Sequence, residues 1–106
     1  MNIVYKASNK GPMARDFEMK SQIRRAALST MNNIAEGFGR FSEKEFVRFL
    51  EISCASAIEV KSVAYAAIDL GYWTTEKSKE IQEKAEDVKS LDLGFIRYLK
   101  AKRSEP

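Results

Sequence analysis

Six basic residues stand where two neighbouring helices would gather them: Lys20, Arg24 and Arg25, then Arg40, Lys44 and Arg48. Cations at this density suit contact with the phosphates of a nucleic-acid backbone, which asks for positive charge and little else. If the helices carrying them run antiparallel, the six make one patch. Lys20, Arg24, Arg25, Arg40 and Arg48 would then supply backbone contacts with little reading of sequence. The net charge is only +3, but residues 1–41 carry +4, residues 42–73 carry −2 and the remainder +1. Positive charge is therefore concentrated ahead of Ser42. The competing reading is a solvated face whose cations pair with Glu43, Glu51 or Glu59.

Other residues invite chemistry less strongly. Glu36-Gly37-Phe38-Gly39-Arg40 has the look of a phosphate cradle, with glycines that free the backbone, a cation, and a helix N-terminus to follow. Its spacing matches no nucleotide-binding fingerprint and no strand precedes it, so a tight interhelix turn is the stronger reading. Glu59 sits between Ile58 and Val60 on an apolar seam. A carboxylate buried there requires a partner, and a structural ion pair with Arg24 or Arg25 is expected. Tyr72-Trp73, just after Gly71, reads as an apolar plug at a helix end, and less readily as a base-stacking platform.

The composition removes whole classes of function. The chain of 106 residues has no histidine and one cysteine. That excludes a Ser-His or Cys-His pair, an imidazole metal site, an internal disulfide and a Cys-x-x-Cys centre. No catalytic residue, metal or cofactor is expected, and the protein is not expected to be an enzyme. No apolar run approaches the roughly 18 residues of a membrane span, and the N-terminus lacks the apolar core of a signal peptide. A cytoplasmic location is the expectation.

The positioning elements follow from punctuation and period. There is no proline between Met13 and Glu105, and strand-like alternation is missing. Ile23, Ala27, Thr30, Ile34 and Phe38, widened by Ala26 and Met31, mark one amphipathic helix over about 16–38, ended by Gly37 or Gly39. Ser42-Glu43-Lys44-Glu45 is a capping box, with Phe41 and Phe46 spaced as a hydrophobic staple. The helix it opens is expected over 43–70, with Gly71 as its left-handed terminator. It is apolar on most sides: Phe46, Leu50, Ser53, Ala57, Val60, Ala64 and Ala67 form one seam. A second holds Phe49, Ile52, Ser56, Val63, Ala66 and Leu70, and a third Val47, Cys54, Ile58, Tyr65 and Ile68. So short a chain cannot cover all three, and other subunits are the expected cover. Thr74 or Thr75 caps a last helix near 76–101, with Ile81, Ala85, Val88, Phe95 and Leu99 as its stripe, interrupted at Asp92. Asn2–Ser8 is long enough for two helical turns at most.

Ser21-Gln22-Ile23-Arg24-Arg25-Ala26-Ala27, then Asn33-Ile34-Ala35-Glu36-Gly37-Phe38-Gly39-Arg40, then Glu45-Phe46-Val47-Arg48-Phe49-Leu50, resemble the proteins encoded in intervening sequences of bacterial 23S rRNA genes. The likeness covers roughly residues 17–99, through Ser56, Glu59, the Leu70-Gly71-Tyr72 turn, Gly94 and Leu99. The resemblance implies a single-domain, all-α, antiparallel up-down four-helix bundle that assembles as a homopentamer. It also implies a likeness in fold to the accessory variability protein of diversity-generating retroelements, a basic pentameric barrel that binds nucleic acid and partners a reverse transcriptase. Two departures stand out. The family's first helix is expected here only as the remnant over 2–8, and the proline usual in the middle of the second helix is replaced around Thr30-Met31. The expected function is a non-enzymatic homo-oligomer that binds RNA or DNA. The alternative is a scaffold or protein-interaction module without a nucleic-acid role.

Overall fold

The computed structural model describes residues 2–40 and 42–103, so the Phe41 half of the staple lies outside the described residues. Four α-helices and one 3-10 turn follow in order: α1 (Asn2–Ser8), the turn (Gly11–Arg15), α2 (Phe17–Phe38), α3 (Glu43–Asp69) and α4 (Thr75–Arg103). No strand occurs among the described residues, so the chain is an all-α helical bundle.

Each long helix starts where a side chain satisfies a backbone N–H that the helix leaves free. Asp16 accepts from the Met19 amide (3.1 Å), Ser42 from the Glu45 amide (3.3 Å) and Thr74 from the Lys77 amide (3.1 Å). The α3 terminus is a Schellman motif. Gly71 takes φ +73°, the Tyr72 amide donates to Ala67 O (2.8 Å) and the Gly71 amide to Ile68 O (2.9 Å). α2 ends at Gly39, one of the two glycines expected to end it, and that glycine stays right-handed at φ −79°. Gly37 is there for space instead. A Cβ at that position would lie 2.6 Å from Phe46 Cδ1 and 3.3 Å from Phe49 Cβ. A bare backbone at Gly37 lets α3 approach closely.

α3 is the central helix, with α2 along one side and α4 along the other. Gln22 meets Glu59, Ser29 meets Ser56 and Thr30 meets Ser53, so α2 and α3 run in opposite directions. Lys102 meets Glu43, Lys61 meets Glu86 and Ser78 meets Ala64, so α3 and α4 do too. The molecule is long and thin, 55 × 21 × 17 Å. The first seam of α3 is buried from Leu50 to Ala67, and its small residues let both neighbours pack close. The other seams emerge into solvent at Ile52, Ile58, Tyr65 and Leu70. The α2 stripe is buried as far as Thr30, after which Met31 and Phe38 are exposed.

The core has two parts. The larger gathers Val4 of α1, Met13 of the 3-10 turn, Ile23 and Ala27 of α2, Val60 and Ala64 of α3, Trp73, and Ile81 and Ala85 of α4. The smaller, at the other end, holds Val47, Leu50, Ile96 and Leu99. It is edged by Phe38, Phe46 and Phe95, with ring centroids 4.9–6.1 Å apart. Trp73 and Tyr72 fasten the first part. The Trp73 indole N–H donates to Ala7 O (3.2 Å) and the Tyr72 hydroxyl to Asp16 Oδ2 (2.9 Å). The plug expected at the end of α3 therefore also pins α1 and the start of α2. The Met19 amide and then the Tyr72 hydroxyl hold the Asp16 carboxyl below its usual range.

Candidate nucleic-acid interface

The basic residues do not form one patch. Arg24 lies in the first half of α2 and Arg40 just past its end; the fourteen positions from Arg24 to Phe38 alone are roughly 21 Å of helical rise. The structure gives two clusters, one at each end of the molecule.

At the distal end, Arg40 and Arg48 flank the Phe49 ring, with guanidinium carbons 5.0 and 5.3 Å from its centroid. Arg40 also pairs with Glu36 at 3.1 Å. The cradle suggested by Gly37 and Gly39 is not formed. The Gly39 amide donates to Ala35 O and Glu36 O, and the Arg40 amide to Gly37 O, so these donors already end the helix. Lys44 is exposed, one turn before Arg48.

At the proximal end, α1 lies against the first half of α2. Arg24 reaches across, donating from Nε to Ser8 Oγ (2.8 Å) and from Nη2 to Tyr5 O (3.2 Å). Its guanidinium carbon stands 4.9 Å from the Tyr5 ring centroid. The expected ion pair between Arg24 and Glu59 is not made. Glu59 is exposed, on the solvent side of α3, and accepts from Gln22 Nε2 at 3.3 Å. The expectation fails because position 59 lies just off the buried seam, and the backbone of α1 is a nearer partner for Arg24. Replacing Arg24 with Ala should release α1 and cost about 1.5–3 kcal/mol, the range for hydrogen bonds from a charged donor. Hydrogen exchange should show the α1 amides losing protection while those of α3 keep theirs.

Lys6, Lys10, Lys20 and Arg25 surround that contact. Lys20 Nζ donates to a neutral partner, Asn9 Oδ1, at 3.4 Å. The ion pairs found among the described residues fall elsewhere: Arg40–Glu36, Lys61–Glu86, Lys77–Glu80, Lys89–Glu86 and Lys102–Glu43. The proximal cluster thus carries positive charge that makes no ion pair with a carboxylate among the described residues. Two of its members are not legible in the sequence. Lys6 and Lys10 join the cluster only because α1 folds back beside α2, which their spacing does not reveal.

The cysteine and its surroundings are unlike a catalytic site. Burial, and then the charge of Asp92, push the Cys54 thiol up to about 11. A thiol so shifted is almost wholly protonated near neutral pH and is a poor nucleophile. No group of acidic or thiol side chains able to hold a metal ion occurs among the described residues. No helix among them is long and apolar enough to cross a membrane.

Comparison with known proteins agrees with this architecture. The chain is similar in structure to a protein of unknown function from the S23 ribosomal protein family of Bacteroides thetaiotaomicron. Their TM-score is 0.80 at 27% identity, over 90% of this chain and 88% of the other. No curated protein matches the sequence. The profile of the 23S rRNA-intervening sequence proteins matches residues 1–92, and the chain belongs to that family.

Proposed function

We propose that the protein is a non-enzymatic homo-oligomer that binds nucleic acid through its phosphate backbone. The observation that carries this reading is the proximal cluster, where Lys6, Lys10, Lys20, Arg24 and Arg25 converge from α1 and α2 without an ion pair among the described residues. Cations held together without internal neutralisation favour a polyanion, and they release its counterions on binding. Arg40 and Arg48 form a second, weaker point of contact, since Arg40 already pairs with Glu36. A chain with no histidine can make no Ser-His or Cys-His pair, and burial keeps the Cys54 thiol protonated, which supports a binding role rather than catalysis.

Self-assembly is supported by apolar side chains that one chain leaves exposed: Met31 and Phe38 on α2, Ile58 and Tyr65 on α3, Leu91 and Tyr98 on α4. Five subunits is the number that the family resemblance implies. The same faces favour a second reading, a protein-interaction scaffold with no nucleic-acid role.

Filter binding to RNA and to DNA across a salt series tests the proposal. The logarithm of the affinity should fall linearly with the logarithm of salt, and Lys20→Ala with Arg25→Ala should flatten the slope by about one for each cation removed. Undetectable or salt-independent binding at about 50 mM salt would sink it and leave the scaffold. Light scattering with and without bulk RNA reports the assembly in the same samples.

A further inference from the structure

Phe17 is the most exposed large apolar side chain of the described residues, at 78%, and it stands at the edge of the proximal cations, beside Lys20, Arg24 and Arg25. It opens α2 directly after the Asp16 cap, so its backbone is fixed while its ring stands in solvent. With Tyr5, Lys20, Arg24, Arg25 and Leu28 it lines a shallow, open concavity of about 310 Å³. A second concavity, of about 540 Å³, is lined by Tyr5, Lys6, Asn9, Lys10 and Arg24. Tyr5 and Arg24 are common to both. Their stacked ring and guanidinium form a ridge between the two hollows.

Three features narrow the ligand. The walls carry cations, so it is anionic. The exposed Phe17 and Leu28 offer apolar contact inside that charged field, so the ligand has flat or apolar faces as well as charge. The hollows lie next to each other across one ridge, so it repeats along its length. Single-stranded nucleic acid has these properties, because its phosphates alternate with bases whose faces are free. A duplex hides those faces in its stack. A second copy of this chain placed face to face would set Lys20 and Arg25 against their own equivalents, which like charge disfavours, and a head-to-tail subunit contact at Phe17 is the outcome that the light scattering below reads. The nearby negative charge, on Asp16 and Glu18, lines a separate hollow with Arg15 on the other side of Phe17, so a strand is directed to the side that carries Lys20 and Arg25.

We propose that the Tyr5–Arg24 ridge and the Phe17 ring beside it bind single-stranded nucleic acid, one base stacking on Phe17 and the flanking phosphates meeting Lys10, Lys20 and Arg25. This rests on the nucleic-acid reading above and adds to it the strandedness of the ligand and the role of an aromatic ring. Arg24 positions the ridge by holding α1, and the cations around it provide the field.

Fluorescence anisotropy with three labelled probes separates the two levels: a uridine oligonucleotide, an RNA duplex of equal length, and an abasic sugar-phosphate strand. The intact chain should bind the oligonucleotide about tenfold more tightly than the abasic strand. Phe17→Ala should remove most of that difference and leave duplex and abasic binding as they were. Phe17→Trp should retain binding, and its indole fluorescence should be quenched by the oligonucleotide. Phe17 is exposed, so circular dichroism should be unchanged in both variants. If Phe17→Ala binds all three probes as the intact chain does, the stacking proposal fails and the charge reading stands. If none of the probes binds at about 50 mM salt, both fail. If Phe17→Ala shifts the particle mass in light scattering, Phe17 is a subunit contact and the stacking proposal is overturned.

Discussion

Asp92→Asn should make the protein more stable at neutral pH, by about 2 kcal/mol or more, and raise its Tm by roughly 10 °C. Asp92 is fully buried on α4, and neither carboxylate oxygen has a hydrogen-bond partner. Burial pushes its carboxyl above the usual value, and the neighbouring Ser53 and Cys54 offset this only in part. Their donors are turned elsewhere: Ser53 Oγ donates to Thr30 O (3.2 Å) and Cys54 Sγ to Lys89 O (3.9 Å). A raised folded-state pKa means that folding favours the protonated form. The penalty is therefore missing below the unfolded value near 3.8, grows as pH rises from there through the folded value, and stays constant above it. Wild type should lose stability across that interval while the Asp92→Asn variant does not. Urea unfolding at a series of pH values reads the difference. Parallel pH profiles for the two proteins would show that Asp92 titrates normally in the fold.

Trp73→Ala should be the most damaging single change in the chain, costing about 3–5 kcal/mol. The side chain is 8% exposed in the larger core part, between α1, α3 and α4. Its loss leaves a large void and frees the Ala7 carbonyl that the indole satisfies. Domains of this size are stable by about 5–15 kcal/mol, so much of the margin disappears. Trp73→Phe keeps most of the apolar packing and removes the donor, and should cost about 1 kcal/mol. Urea melts followed by circular dichroism are the right measurement, since the substitution removes the chain's one tryptophan. Equal losses for Ala and Phe would place the energy in the hydrogen bond rather than in packing.

The helices are legible in the sequence because their signals are local. Ser42, Thr74 and Gly71 act within a few residues of themselves, and the first seam of α3 is a strict period that the core honours. What the sequence hides is placement between helices. Asp92 reads as a break in the α4 stripe, yet it occupies the buried position between Val88 and Ile96. A period cannot reveal that a carboxylate has been kept inside. Nearness in sequence groups the six cations, whereas the length of α2 keeps Arg40 and Arg48 apart from Arg24. Lys6 and Lys10 are invisible as members of the cluster because only the return of α1 brings them there. Charge alone gives Arg24 a carboxylate partner, but it takes a hydroxyl, a carbonyl and a ring.

The arrangement of α3 between its two neighbours in the chain also bears on how the fold is reached. Its large interfaces join helices that follow one another through short connections, so their closure entropy is small and their formation fast. The bonds made by Tyr72 and Trp73 are of another kind. They join residues 56 and 66 positions apart and become favourable only once α3 and α4 are in place. The expected order is therefore that the three long helices assemble first and α1 docks onto them last. Trp73, buried in that final step, is a built-in optical clock for it: its fluorescence should lag behind the gain of helical signal when the unfolded chain is returned to water.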